Sequence, residues 1–137
     1  MKTIHTDKRE IIRLWLNQSQ PFAANPSRNF YFEGKSIYSY GKHFVIAEIL
    51  DNGSILLNED KYSVTTAKHK LAVEQMLSGK DIIFCASLPN SIHRNIEMYN
   101  YQIYVLSDKL TRARNKDKYI TAITAIQFKI NRLQSLI

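Results

Sequence analysis

Four histidines, His5, His43, His69 and His93, are the obvious acid–base candidates in this sequence. His43 opens an extended run and His69 lies in a short helix. Facing one another, the two could cleave RNA without a metal, one as base and one as acid. Nothing in their spacing requires that pairing. No H-E-x-x-H, paired-carboxylate or Gly-x-Ser-x-Gly pattern accompanies them. Cys85 is the only cysteine, which excludes an internal disulfide and a thiolate zinc site. Its apolar neighbours Ile82, Ile83, Phe84 and Ala86 mark it as a small core residue rather than a reactive thiol. No metal and no cofactor is therefore expected. A binding protein is the leading reading, and a metal-independent nuclease using His43 and His69 is the alternative.

Two other groups of residues suit anions. Thr65 and Thr66 stand where an extended run passes into a helix, and Lys68, His69 and Lys70 fall in its first turns. Unpaired amides, two hydroxyls and two lysines would hold a phosphate there. Plain capping accounts for the same hydroxyls without a ligand, and the glycine spacing of a phosphate loop is missing. The second group is Lys109, Arg112, Arg114, Lys116 and Lys118, set against Asp108 and Asp117. Crowded around one break between two helices, these cations would form a basic knob able to grip phosphates or an acidic protein groove. Basic residues at a helix C-terminus offset its dipole, which accounts for part of the cluster. Lys116 and Lys118 open the next helix, where the dipole opposes them, and so point to a partner.

An α+β chain is needed to position these groups. Residues 6–19 read as an amphipathic helix, with Thr6 as N-cap, Asp7 and Glu10 at the positive dipole end, and Ile11, Ile12, Trp15 and Leu16 at helical spacing. Residues 20–28, with Pro21, Asn25 and Pro26, read as a surface linker. From Asn29 the period changes to short aromatic and β-branched runs. They are split by Glu33-Gly34-Lys35, Gly41-Lys42 and Asp51-Asn52-Gly53. Residues 54–58 and 62–65 complete an antiparallel meander sheet of four to five strands. A short helix then begins at Thr65 or Thr66, with Leu71, Ala72, Met76 and Leu77 facing inward. Residues 81–86 form one further extended run.

The last third carries the clearest periodicity. Ile92, Ile96, Tyr99, Ile103, Leu106 and Leu110 advance by steps of 4, 3, 4, 3 and 4, and Tyr119, Ile123, Ile126, Ile130, Leu133 and Ile137 repeat them. Those are the apolar seams of two helices packed lengthwise. Arg114-Asn115-Lys116-Asp117 breaks them into a C-terminal antiparallel helical hairpin. Pro89 suits a first turn, with Ser87 or Asn90 to cap it. Phe128 lies off the seam and would dock the hairpin on the sheet. Alternatively, the hairpin seam is shared between two copies, giving a homodimeric interaction module.

A chain of 137 residues, 45% apolar and 23% charged, fits a single domain. Its parts would be a helix at 6–19, a sheet with one helix at 29–86, and the hairpin at 87–137. The net charge of +7 favours an anionic partner, nucleic acid or an acidic protein surface. Residues 87–137 hold eight basic and three acidic side chains, whereas residues 29–86 hold six and seven. No apolar run near the start suggests a signal peptide, and no segment approaches the length of a bilayer span. The expected place is the cytoplasm, with no membrane partner.

The runs Ile37-Tyr38-Ser39-Tyr40-Gly41, His43-Phe44-x-Ile46-Ala47, Tyr62-Ser63-x-Thr65-Thr66-x-Lys68-His69 and Lys109-Leu110-x-Arg112-Ala113-Arg114 resemble a group of small uncharacterised proteins of bacteriophages and mobile elements. The resemblance implies a phage-type context inside a bacterial host cell. Small basic proteins of that kind bind nucleic acid or inhibit host nucleoprotein defence complexes, CRISPR effectors included. The leading function is therefore a non-enzymatic binding protein acting through its basic surface on nucleic acid or on such a complex.

Overall fold

A computed structural model describes residues 1–40, 44–86 and 92–137. The fold is α+β, and its elements follow in the order α1 (Lys8–Asn17), β1 (Phe22–Ala24), β2 (Phe30–Glu33), β3 (Ser36–Ser39), β4 (Phe44–Ile49), β5 (Ile55–Asn58), α2 (Val64–Gln75), β6 (Ile82–Cys85), α3 (Ile92–Leu110) and α4 (Lys116–Gln134). The first five strands run β1-β2-β3-β4-β5 in chain order and pair antiparallel. The chain divides into two compact units, Met1–Ile82 and Ile83–Ile137.

In the first unit, Asp7 rather than Thr6 caps α1. Its carboxylate accepts from the Arg9 amide at 2.9 Å, and aspartate ranks at least as high as threonine in that role. Gln18 ends the helix in the left-handed region at φ 53° and returns its amide to the carbonyls of Leu14 and Trp15. Ile11, Ile12, Leu14 and Trp15 enter the core against Phe30, Phe32, Ile37, Phe44 and Ile46 of the sheet. The Trp15 indole N–H donates to the Lys35 carbonyl at 2.8 Å, tying the helix to the β2–β3 turn. That turn passes through Gly34 at φ 60°, where a side chain would be strained.

The segment expected to be a linker contains β1. Its Phe22, Ala23 and Ala24 pair with Glu33, Phe32 and Tyr31. Three residues between two prolines carry no alternation of their own, so the pairing with β2 creates the strand. Ahead of α1, residues 3–5 lie along β1's other side. The Ala24 amide donates to the Thr3 carbonyl at 2.7 Å, and the His5 amide donates to the Ala24 carbonyl at 2.9 Å.

The strand expected at residues 62–65 does not form. Ser63, extended at φ −143° and ψ 170°, caps α2, and Val64 is its first helical residue. β-Branched residues 64–66 favour a strand by propensity, but a serine with its oxygen on the Thr66 amide outweighs them. The buried face of α2 also differs. Thr66, His69 and Val73 point inward, while Leu71 is 54% exposed. Ala72 and Met76 are half-buried beside the core, and Leu77 is buried just past the helix. Two of the three inward residues are polar, so the sequence shows no apolar side for this helix.

In the second unit, α3 and α4 pack lengthwise as a hairpin joined by residues 111–115. Ile96, Tyr99, Ile130 and Leu133 of the two seams are buried, and the remaining seam residues are half-buried except the exposed Ile137. Phe128, off the seam, is 63% exposed. Cys85 is buried, as its apolar neighbours suggested. The Asn95 carboxamide accepts from the Ala86 amide at 2.6 Å, holding the end of β6 to α3. The expected caps Ser87 and Asn90, the first-turn Pro89 and the turn at Gly41-Lys42 lie outside the described residues. Among the described residues no helix is long and apolar enough to cross a membrane.

Candidate functional site

The first unit brings two of the sequence runs together. Ser39, at the end of β3, meets the inward face of α2: its hydroxyl lies 2.8 Å from His69 Nδ1 and 3.0 Å from Thr66 Oγ1. Ser63 donates to Thr66 Oγ1 at 3.1 Å. The network is satisfied when Ser63 donates to Thr66, Thr66 to Ser39, and Ser39 to an unprotonated Nδ1. Phe30 packs on the His69 ring at 4.8 Å between centroids, and Tyr40 approaches it at 6.4 Å. Burial pushes the His69 imidazole down to about 4, and the ammonium of Lys8 pushes the same way.

These contacts correct the expected anion site. His69 is 2% exposed and Thr66 is equally buried, so neither can reach an ion outside. A ring that stays neutral at physiological pH adds no positive charge to the corner. Thr65 is half-buried and Lys68 exposed. Lys70 lies 3.9 Å from Glu74, on its own helix. His43, the other half of the acid–base pair, lies outside the described residues. His69 by itself is in the wrong place for a nuclease, since its ring is enclosed between sheet and helix.

Sequence reasoning missed an open groove beside this corner. Tyr62, Val64 and Leu71 are exposed along a hollow of about 680 Å³, bordered by Glu59, Asp60 and Lys70. A smaller hollow of about 340 Å³ shares Tyr62, Ser63 and Val64 and reaches Tyr40 and Thr65. The signal was present as three large apolar residues, Val64 and Leu71 off the inward stripe of α2 and Tyr62 just ahead of its cap. It was hidden by the mistaken phase of the helix. Among the described residues no group of three His, Cys, Asp or Glu side chains gathers to hold a metal.

The second unit places the five predicted cations at one end of the hairpin. Lys109 closes α3, Arg112 and Arg114 lie in the turn, and Lys116 and Lys118 open α4; all five are exposed. Arg112 pairs with Asp108 at 2.8 Å. Lys116 Nζ donates to the Leu110 carbonyl at 3.1 Å. This overturns the argument that Lys116 faces an unfavourable dipole, because the side chain serves the C-terminal end of α3 instead. Lys118 Nζ lies 5.7 Å from the centre of the Tyr119 ring. Lys109 and Arg114 make no ion pair among the described residues.

Along α3 toward the same tip stand Tyr101 and Tyr104, 68% and 72% exposed, with ring centroids 6.4 Å apart and planes 26° from parallel. No family model, curated protein or solved structure matches the chain.

Proposed function

We propose that this chain is a nucleic-acid-binding protein whose hairpin tip grips phosphates, on free nucleic acid or within a host nucleoprotein complex. The observation that carries the reading is the gathering of five exposed cations around one helix–helix turn. The unit Ile83–Ile137 holds eight basic and three acidic side chains, giving it +5 of the chain's +7. Each phosphate neutralised there would release condensed counterions, so affinity should fall steeply with salt. The phage-type resemblance supports the same direction, since its run at residues 109–114 belongs to this tip.

Lys109→Glu with Arg114→Glu tests the proposal, because neither side chain holds an ion pair among the described residues. Binding of a labelled duplex DNA is measured by fluorescence anisotropy over a salt series. The double variant is expected to bind at least about tenfold more weakly, with a salt slope shallower by about two. Equal affinity and slope in parent and variant would reject the tip as the binding surface.

A further inference from the structure

Resting on that nucleic-acid reading, we infer that the ligand is single-stranded and that Tyr101 and Tyr104 are its stacking platform. Both rings are largely exposed and lie side by side on α3, with their planes 26° from parallel. A helix embedded in its own protein has little reason to present two large aromatic rings to water. Unpaired bases offer flat apolar faces that a duplex keeps inside its stack, and stacking on aromatic side chains is how unpaired strands are commonly held.

The surrounding charge fixes the direction of the strand. Tyr101 and Tyr104 share a helix face with Glu97 on one side and with Asp108 on the other, by steps of three or four. Glu97 is exposed and would repel a phosphate. Asp108 is paired by Arg112, so its charge is offset. The backbone of a bound strand is therefore drawn from the tyrosines toward the tip. Lys109 follows Tyr104 by five residues, about 8 Å along the helix axis but roughly 140° around it, so a bound strand would meet the tip cations where α3 ends rather than directly beside the rings. Aromatic platform and phosphate grip thus lie on one hairpin within reach of one flexible strand, the combination that characterises sequence-tolerant single-strand binders.

The test compares a labelled oligothymidylate of about 20 nucleotides with a duplex of the same length, for parent, Tyr101→Ala/Tyr104→Ala and Tyr101→Phe/Tyr104→Phe. Circular dichroism and melting confirm that the variants fold, as expected for exposed positions. The alanine pair is expected to lose about tenfold or more in single-strand affinity, with duplex binding and salt slope unchanged. The phenylalanine pair, which keeps the stacking face, is expected to bind like the parent. If the alanine pair binds oligothymidylate as well as the parent does, the platform is refuted while the tip reading stands. Equal loss on both probes would also refute it, showing that the tyrosines shape the hairpin generally. A parent that binds neither probe overturns the tip and the platform together.

Discussion

The corner beside α2 and the tip of the hairpin both collect polar side chains, and they use them in opposite ways. Ser39, Thr66 and His69 are buried and bonded to one another. The cations at the tip face water, with Arg112 and Lys116 held by partners within the hairpin and Lys109 in no ion pair among the described residues. A buried polar group left alone costs more than its bond contributes, so the corner's residue types are demanded by the fold. Exposed charges change stability little, so the fold makes no such demand of the tip. Residue types that looked alike in the sequence, hydroxyls, histidine and lysines beside a helix end, therefore belong to different categories of constraint. The corner answers to packing, and the tip is where the proposed partner would act.

The largest effect that this contrast predicts is at His69. His69→Ala removes the ring packed on Phe30 and leaves the Ser39 hydroxyl short of a partner. It is expected to cost about 3 kcal/mol, read from denaturant unfolding. A loss below about 0.5 kcal/mol would break the contrast, since the corner would then be dispensable to the fold.

A pH series gives a second measure of the same size or smaller. The folded imidazole is held at about 4, below the ordinary value of 6.5, so the unfolded chain takes up its proton first. The contribution of His69 is whole above the unfolded value and is lost as pH falls through the folded one. Below that it stays constant. The difference in unfolding free energy between parent and His69→Gln should shrink by up to about 3 kcal/mol across this window. A pH-independent difference would show that the ring is not held neutral by burial.

Smaller again is Ser63→Ala, which removes the cap of α2 and one member of the network. It is expected to cost about 1 kcal/mol in the same assay. At the tip, Lys116→Ala loses only an exposed bond to the Leu110 carbonyl. It is expected to shift stability by less than about 0.5 kcal/mol while weakening nucleic-acid binding. A large stability loss with unchanged binding would place Lys116 on the structural side of the comparison.

What was legible in the sequence followed regular period. The two seams of α3 and α4 stood out because a 4-3 repeat sustained over some twenty positions has no other simple reading. The strands β2 to β5 were marked by aromatic and β-branched runs between turn residues. Where the signal lay in tertiary pairing it failed: β1 takes its form from β2, and no local pattern announces it. α2 misled for a different reason. Its inward stripe begins with Thr66 and His69, whose burial depends on Ser39, far away in the chain. A polar residue reads as outward until its partner is known. The same dependence hid the Tyr62–Val64–Leu71 groove and turned a supposed anion site into core. Composition set the five cations around the α3–α4 turn, where they stand, but Lys116 was misjudged because its backbone position differs from where its ammonium reaches.

The short pairing of residues 3–5 with Ala24 has a consequence for how the protein behaves in concentrated solution. β1 begins the sheet, and its outward amides and carbonyls would otherwise offer a template to any extended chain, including another copy. Thr3 and His5 occupy the Ala24 groups that such a strand would seek. The leading residues thus act as a selvedge on the woven sheet, and trimming them would invite edge-to-edge association of molecules whose surfaces are otherwise unaltered.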